Sequence, residues 1–175
     1  MIGPAELSRR ASRVRLVVTD VDGVLTDAGV YYSERGEELK RFNVRDGMGV
    51  ELLREAGVQT AFLTRESSPC VQARARKLRL VHVWLGVTDK RAYLETVLRE
   101  TGLTIAQLAY IGDDVNDLGA LEVVGREGLA AAPADAAPSV ARSVHYVAAA
   151  RGGHGAFREF ADWILRHATP EGGAS

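Results

Sequence analysis

Short apolar runs alternate with helical patterns along this chain, and that alternation most limits what it can fold into. Val14–Asp20 reads VRLVVTD, Val58–Thr64 reads VQTAFLT, and Leu108–Gly112 reads LAYIG. Each is too short for a buried helix and too uniformly apolar for a strand with one wet face. Such runs are strands buried on both faces, as in a parallel sheet. Val81–Leu85, Gly128–Ala132 and Val144–Val147 are weaker candidates of the same kind. Between them lie helical patterns. Ser67 or Ser68 precedes Pro69 and caps a helix reaching about Arg79. Lys90–Thr101 sets Ala92, Tyr93, Val97 and Leu98 on roughly one face, and Phe157, Phe160, Ala161, Ile164 and Leu165 follow i, i+3, i+4, i+7, i+8 spacing. The expected architecture is an α/β three-layer sandwich with right-handed crossovers. At 175 residues the chain makes one such domain.

One segment interrupts the rhythm. Val30 to Phe42 holds two half-polar runs around Glu34-Arg35-Gly36-Glu37, the pattern of a β-hairpin with a glycine-containing turn. It falls between the first strand and the first helix, so it projects from the carboxyl edge of the sheet, where open α/β sheets bind ligands. Residues 1–12 read as a frayed N-terminus, 13–167 as the single domain with its hairpin at about 30–42, and 168–175 as a flexible tail.

Charge and composition remove several function classes. Twenty-two Lys and Arg against 23 Asp and Glu give a net charge of −1, without the basic excess of a nucleic-acid binder. No apolar run has the ~18–20 residues of a membrane helix. The N-terminal residues carry arginines but no apolar core of a secretion signal. A single cysteine, Cys70, forbids an intrachain disulfide and fits a reducing, cytoplasmic setting.

The chemistry concentrates where strands end. Asp20-Val21-Asp22-Gly23 closes the first buried run, and Gly112-Asp113-Asp114-Val115-Asn116-Asp117 follows the third. A calcium loop of the EF-hand type does not fit, because its third ligand would be Val24. In a parallel sheet the two strand ends meet at one edge, so Asp20, Asp22 and Asp113 can converge. Clustered carboxylates repel one another unless a cation sits among them. Hard oxygen ligands with few other donors suit Mg²⁺ beside a phosphate. Thr64 ends the second strand and Lys90 opens a helix, and a hydroxyl with an ammonium is what phosphoryl oxygens require. Asp114 or Asn116 can alternatively be no more than a helix cap.

Taken in order, DVDGVLTD, KRFNVRDGMGVELL, LTRESSPCVQARARKL, IGDDVNDL and GGHGAFREF resemble the haloacid dehalogenase-like phosphohydrolases, in their small capless branch. That branch includes the 3-deoxy-D-manno-octulosonate 8-phosphate phosphatases, the nonulosonate 9-phosphate phosphatases and domains fused to some acylneuraminate cytidylyltransferases. The resemblance covers about Arg13 to Leu165. It implies a Rossmann-like, mainly parallel sheet of the haloacid dehalogenase-like fold, and Mg²⁺-dependent hydrolysis of a 2-keto-3-deoxy sugar-acid phosphate through an aspartyl-phosphate. Asp20 is then the nucleophile and Asp22 the general acid and base. Asp20, the Asp22 carbonyl and Asp113 hold Mg²⁺, and Thr64 and Lys90 bind phosphate. Asp114, Asn116 and Asp117 support the metal site or Lys90 from behind.

The same resemblance implies a homotetramer whose hairpins form a central barrel, with Lys40, Arg45 and Asp46 near substrate or interface. The sequence also departs from the octulosonate pattern. Thr64-Arg65-Glu66 replaces Thr-Gly-Arg and looks more like the nonulosonate enzymes, with Glu66 meeting the substrate's hydroxyl tail, Lys77 orienting Glu66, and Arg74 meeting a sugar carboxylate. His154 stands where the family commonly has arginine. Two other readings stay open. A receiver-type phosphoacceptor has its lysine after all the acidic motifs, whereas Lys90 precedes Asp113. A non-catalytic tetramerisation module has no need of Asp20, Asp22, Thr64, Lys90 and Asp113 together.

Overall fold

The computed structural model describes residues 2–168. Six parallel strands form the central sheet: β1 (Leu16–Thr19), β4 (Gln59–Leu63), β5 (His82–Trp84), β6 (Leu108–Ile111), β7 (Leu129–Ala132) and β8 (Tyr146–Val147), in the spatial order β5-β4-β1-β6-β7-β8. All six expected runs are strands. β1 pairs with β4 on one side and β6 on the other, with Thr19 opposite both Phe62 and Ile111. The chain therefore winds outward in one direction through β4 and β5, then returns to the far side of β1 for β6 to β8. That reversal between β1 and β6 is where a doubly wound sheet opens a crevice at its carboxyl edge.

Alternate strand residues feed two cores. Val17, Phe62, Ala109, Ile111 and Ala131 face one side, where they meet α2 (Val44–Glu55), α3 (Pro69–Lys77) and α7 (Ala156–Ala168). Leu16, Val18, Leu63, Tyr110 and Ala130 face the other, where α4 (Lys90–Thr101), α5 (Leu118–Glu127) and α6 (Pro138–Ala141) cover them. Phe157, Phe160 and Ile164 of α7 are fully buried, as their spacing predicts. Among the described residues no helix is long and apolar enough to cross a membrane.

The interrupting segment is a two-stranded antiparallel sheet separate from the main one, β2 (Tyr31–Ser33) with β3 (Gly36–Leu39). Gly36 turns it at φ +101°, a left-handed conformation open to glycine at little cost. The Thr26–Phe42 bridge ties its base to the body. Val30, Tyr31, Tyr32 and Leu39 stand in solvent.

The first twelve residues differ from expectation. Pro4–Ala11 form a helix, α1, with proline in its first turn, and it packs against α7. Arg10 is 8% exposed. Its guanidinium donates to the carbonyls of Gly125 and Gly128 at 2.8 and 2.9 Å, and to Arg126 at 2.9 Å. These are carbonyls at the end of α5 that have no partner within the helix. An eight-residue helix is marginal alone even with Glu6 paired to Arg9 and Arg10, so its docking is the main source of its stability. The last seven residues of the expected tail lie outside the described residues.

Replacing Arg10 by alanine removes four charge-assisted hydrogen bonds, three to carbonyls that are then stranded and one to Glu6. The expected loss is about 1–3 kcal/mol, read from urea unfolding at neutral pH. An unchanged midpoint would show that α1 contributes nothing to stability.

Candidate active site

Four segments deliver side chains to the carboxyl edge. The chain leaves β1 with the Asp20 N–H still donating to the Ile111 carbonyl at 3.0 Å. It then turns tightly: the Val21 carbonyl accepts the N–H groups of Leu25 and Thr26 at 2.9 and 3.0 Å, while Val21, Val24 and Leu25 sink into the core. The carboxylates of Asp20 and Asp22 are left facing the edge. Thr64 follows β4, 1% exposed, and Lys90 is the first residue of α4, 1% exposed. Asp113 follows β6 through Gly112.

The centre of the arrangement is ionic and buried. Lys90 Nζ lies 2.8 Å from Asp20 Oδ2 and 2.7 Å from Asp117 Oδ1. The Tyr110 hydroxyl also donates to Asp117 Oδ1, at 2.8 Å. Asp117 Oδ2 accepts the N–H groups of Asp113 at 3.1 Å and Asp114 at 3.4 Å. Asp117 thus spends both oxygens on protein donors and organises the loop that presents Asp113. Its place at the start of α5 is that of a cap, but its side chain makes no capping bond there.

Asp20, Asp113 and Asp117 each have a carboxylate oxygen within 4.8 Å of the others. One ammonium lies among them, bonded to Asp20 and Asp117 but not to Asp113. Burial and then the neighbouring carboxylates push the Asp113 carboxyl up to about 8. Burial, and next Asp117, raise Asp20 as well, against the pull of Lys90. Among the described residues no hydrogen-bond donor reaches the Asp113 carboxylate. Gly23 makes room for it: at φ +85°, a Cβ there would sit 1.9 Å from Asp113 Oδ2. A hard divalent cation fits this surplus of oxygens without donors. Asp20 and Asp113 have the capacity to bind it, whereas Asp117 is committed. The backbone behind is equally tight. A Cβ on Gly152 would meet the Gly23 carbonyl at 1.9 Å, and the Gly153 N–H donates to the Val24 carbonyl at 2.9 Å. The glycine pair lets the loop before α7 lie flat against the Asp20–Asp22 turn.

A cleft of about 290 Å³ opens above these groups. Asp20, Asp22, Thr64, Glu66, Asp113, Asp114 and Asn116 line it, as do Tyr32, Glu37 and Lys40 from the hairpin segment and Arg65. Most of the residues singled out at the strand ends thus lie on one cleft wall.

Four expected substrate contacts, Arg45, Asp46, Arg74 and Lys77, do not line the cleft, and Lys40 lines it with its ammonium paired to carboxylates. The Lys40 side chain is only 1% exposed, its ammonium 2.8 Å from Asp22 Oδ2 and 3.3 Å from Glu37 Oε2. Burial disfavours its charge, but the two carboxylates outweigh that and raise its pKa. Asp46 is 1% exposed and accepts the Arg158 N–H at 3.0 Å, which makes it a cap on the first turn of α7 rather than a wall of the cleft. Burial raises its pKa against the pull of the Arg158 and Gly155 N–H groups, and its Oδ2 has no partner. Arg45 is exposed and off the cleft. Arg74 turns inward to donate to the Asn43 carbonyl at 2.9 Å and lies 5.6 Å above the Phe42 ring. Lys77 is exposed and makes no bond to Glu66 among the described residues. His154 is exposed, with Nδ1 2.7 Å from the Gly152 carbonyl.

Sequence reasoning missed Glu37, Tyr32 and Tyr110. A tyrosine inside a buried run needs a partner for its hydroxyl, and that was the available signal for Tyr110. Glu37 had none, since hairpin register alone brings it in. Ser68 occupies the cap position of α3, but its hydroxyl donates to Glu37 instead of the helix.

Comparisons with known proteins converge. No family model matches the chain. It is 39% identical over 160 residues to the 3-deoxy-D-manno-octulosonate 8-phosphate phosphatase KdsC of Haemophilus influenzae, covering 91% of this chain and 87% of that protein. The solved structure of the Moraxella catarrhalis 3-deoxy-D-manno-octulosonate 8-phosphate phosphatase, in complex with magnesium, phosphate and KDO, superposes with a TM-score of 0.87 at 33% identity, covering 93% and 91% of the two chains. The cobalt-bound Haemophilus influenzae enzyme gives a TM-score of 0.86 at 39% identity over 91% of each chain.

The crowded carboxylates have a consequence for stability. Asp113 holds its proton to about pH 8 when folded but only to about pH 4 when unfolded. The folded state therefore binds the extra proton, and stability falls as pH rises toward 8. His145, whose pKa burial lowers, acts with the opposite sign below about pH 6.5. Between pH 6.5 and 8 the metal-free protein is expected to melt progressively lower, and millimolar Mg²⁺ to restore more at pH 8 than at pH 6.5. Thermal melts flat across that range and indifferent to Mg²⁺ would contradict the arrangement.

Proposed function

Because the chain belongs to the 3-deoxy-D-manno-octulosonate 8-phosphate phosphatase family, a branch of the haloacid dehalogenase-like phosphohydrolases, we propose that it is a Mg²⁺-dependent phosphatase of a 2-keto-3-deoxy sugar acid, with 3-deoxy-D-manno-octulosonate 8-phosphate as substrate. The observation that carries this reading is the Asp20 carboxylate, tethered to a buried ammonium at the floor of an open cleft and flanked by Asp22, Thr64 and Asp113.

Asp20, the Asp22 carbonyl and Asp113 would hold the Mg²⁺, which supplies charge neutralisation for the phosphoryl oxygens. Asp20 attacks phosphorus in line, and the bond from phosphorus to the sugar oxygen breaks. Asp22 gives its proton to the departing alkoxide. It then takes a proton from the water that attacks the aspartyl-phosphate, releasing phosphate and restoring Asp20. The Thr64 hydroxyl donates to a phosphoryl oxygen. Lys90 spends two of its three N–H groups on Asp20 and Asp117, which leaves the third for phosphate. Asp117 stiffens this set from below, with Asp114 and Asn116 beside it on the rim.

The sugar end is assigned to Arg65, Glu66 and Tyr32. Arg65 has no hydrogen-bond or ion-pair partner among the described residues, which supports a role in meeting the sugar-acid carboxylate once Arg74 is turned away. The Thr64-Arg65-Glu66 sequence favours a second reading, a nonulosonate 9-phosphate as substrate. The exposed Val30, Tyr31, Tyr32 and Leu39 support a homotetramer in which four hairpins form a central barrel. Residues 13–167 form the phosphohydrolase domain, with α1 docked onto it, and the lone Cys70 supports a cytoplasmic setting.

The test is phosphate release, with Mg²⁺, from octulosonate 8-phosphate, nonulosonate 9-phosphates and hexose phosphates. Preference for the octulosonate ester is expected, with loss of turnover in EDTA and a fall of ~10⁴-fold or more for Asp20→Asn. Preference for a nonulosonate ester would select the second reading. Release from none of them, or full activity in EDTA, would overturn the assignment.

A further inference from the structure

Asp22 is held by two donors that come from different places. Thr26, one turn along the same loop, donates to Oδ1 at 3.2 Å. Lys40, from the residue just past β3, donates to Oδ2 at 2.8 Å. Thr26 itself is fully buried and its hydroxyl oxygen also accepts the Ala28 N–H at 3.2 Å, so that side of Asp22 is fixed by its own loop. The other side is fixed by the hairpin.

Lys40 is poorly suited to contact substrate. Its side chain is covered, and its ammonium is shared between two carboxylates, Asp22 and Glu37. Glu37 is in turn held by the Ser68 hydroxyl, and Ser68 is 4% exposed at the start of α3. A continuous chain therefore runs from α3 through Ser68, Glu37 and Lys40 to Asp22. It locks the return strand of the hairpin to the body of the protein and ends on the carboxylate that transfers protons.

We propose that Lys40 is a positioning residue, which with Glu37 and Ser68 aims the Asp22 carboxylate at the leaving oxygen and makes the hairpin part of the catalytic unit. This rests on the reading of Asp22 as the general acid. On this proposal Lys40 acts directly on neither the phosphoryl group nor the sugar. Its effect passes entirely through Asp22, so in kcat/KM, which covers steps only up to departure of the alcohol, it matters only where the leaving group needs a proton. A sugar alkoxide needs one. The p-nitrophenolate ion leaves without it.

The experiment compares kcat/KM for the sugar phosphate and for p-nitrophenyl phosphate, with Mg²⁺, in Lys40→Met, Asp22→Asn and the double variant. Lys40→Met is expected to lose about 10²-fold on the sugar ester, the lower end of what proton transfer contributes, and to keep its activity on the aryl ester within a few-fold. In the Asp22→Asn background the Lys40 substitution is expected to cost nothing more. Equal losses on both esters, a loss confined to KM for the sugar ester, or losses that add in the double variant would overturn the proposal while leaving the phosphatase reading intact. An Asp22→Asn variant with undiminished sugar-ester turnover would remove the acid itself, and the proposal with it. Should Lys40→Met not fold, Glu37→Gln takes its place. It must show the same selective loss in weaker form, and an unchanged ratio between the two esters would overturn the proposal.

Discussion

The ammonium of Lys90 sits in the interior with no exposure to solvent, and the candidate site is arranged around it. A buried charge is tolerable only when paired and hydrogen-bonded, and removing one partner of such a pair costs about 3–5 kcal/mol. Lys90 therefore demands Asp20 and Asp117 at fixed distances. Those two demands join the end of β1, the start of α4 and the loop after β6. Asp117 passes the constraint onward, to the Tyr110 hydroxyl beneath it and to the N–H groups of Asp113 and Asp114 beside it. The parallel register of β1 with β6 makes this possible, because it sets the ends of the two strands side by side. One ammonium cannot neutralise three carboxylates, and the excess negative charge is what a divalent cation offsets, leaving the site able to accept an anionic phosphoryl group. Stability and chemistry thus draw on the same few atoms.

The hairpin belongs to this account for a different reason. Its Tyr31 and Leu39 stand exposed in solvent, while Tyr32 lines the cleft. Its inward residues, Glu37 and Lys40, close an ionic chain on Asp22. An element inserted between the first strand and the first helix thereby has one face in solvent and one on the cleft, with the covered Lys40 side chain on the cleft side.

The legible part of the sequence was the part in which burial writes a pattern. Fully apolar runs of four or five residues have one stable home, inside a parallel sheet, so the strands and the carboxylates at their ends followed directly. Lys90 was legible as a helix start and Asp113 as a strand end. What escaped were side chains whose direction no periodicity encodes. Arg74, Asp46 and Lys40 carry charges that a helix or hairpin can aim either into a cleft or at a backbone group. Arg74 is aimed at the Asn43 carbonyl, Asp46 at the N–H groups that open α7, and Lys40 at Asp22. α1 escaped because it is short and mostly polar, and its fixing contact is an arginine that reads as surface. Arg65, noticed as a departure from a pattern, lies on the cleft wall, where that departure bears on the substrate.

On the proposed mechanism Asp20, one of the two carboxylates bonded to Lys90, takes the phosphoryl group. Rapid acid quench of the Mg²⁺-loaded enzyme turning over its sugar phosphate, followed by borohydride reduction and peptide mass spectrometry, reads it directly. The account predicts an acyl phosphate at Asp20, seen as conversion of that residue alone to homoserine and absent from Asp20→Asn. Reduction at Asp22 or Asp113, or steady turnover with no residue reduced at any quench time, would contradict it.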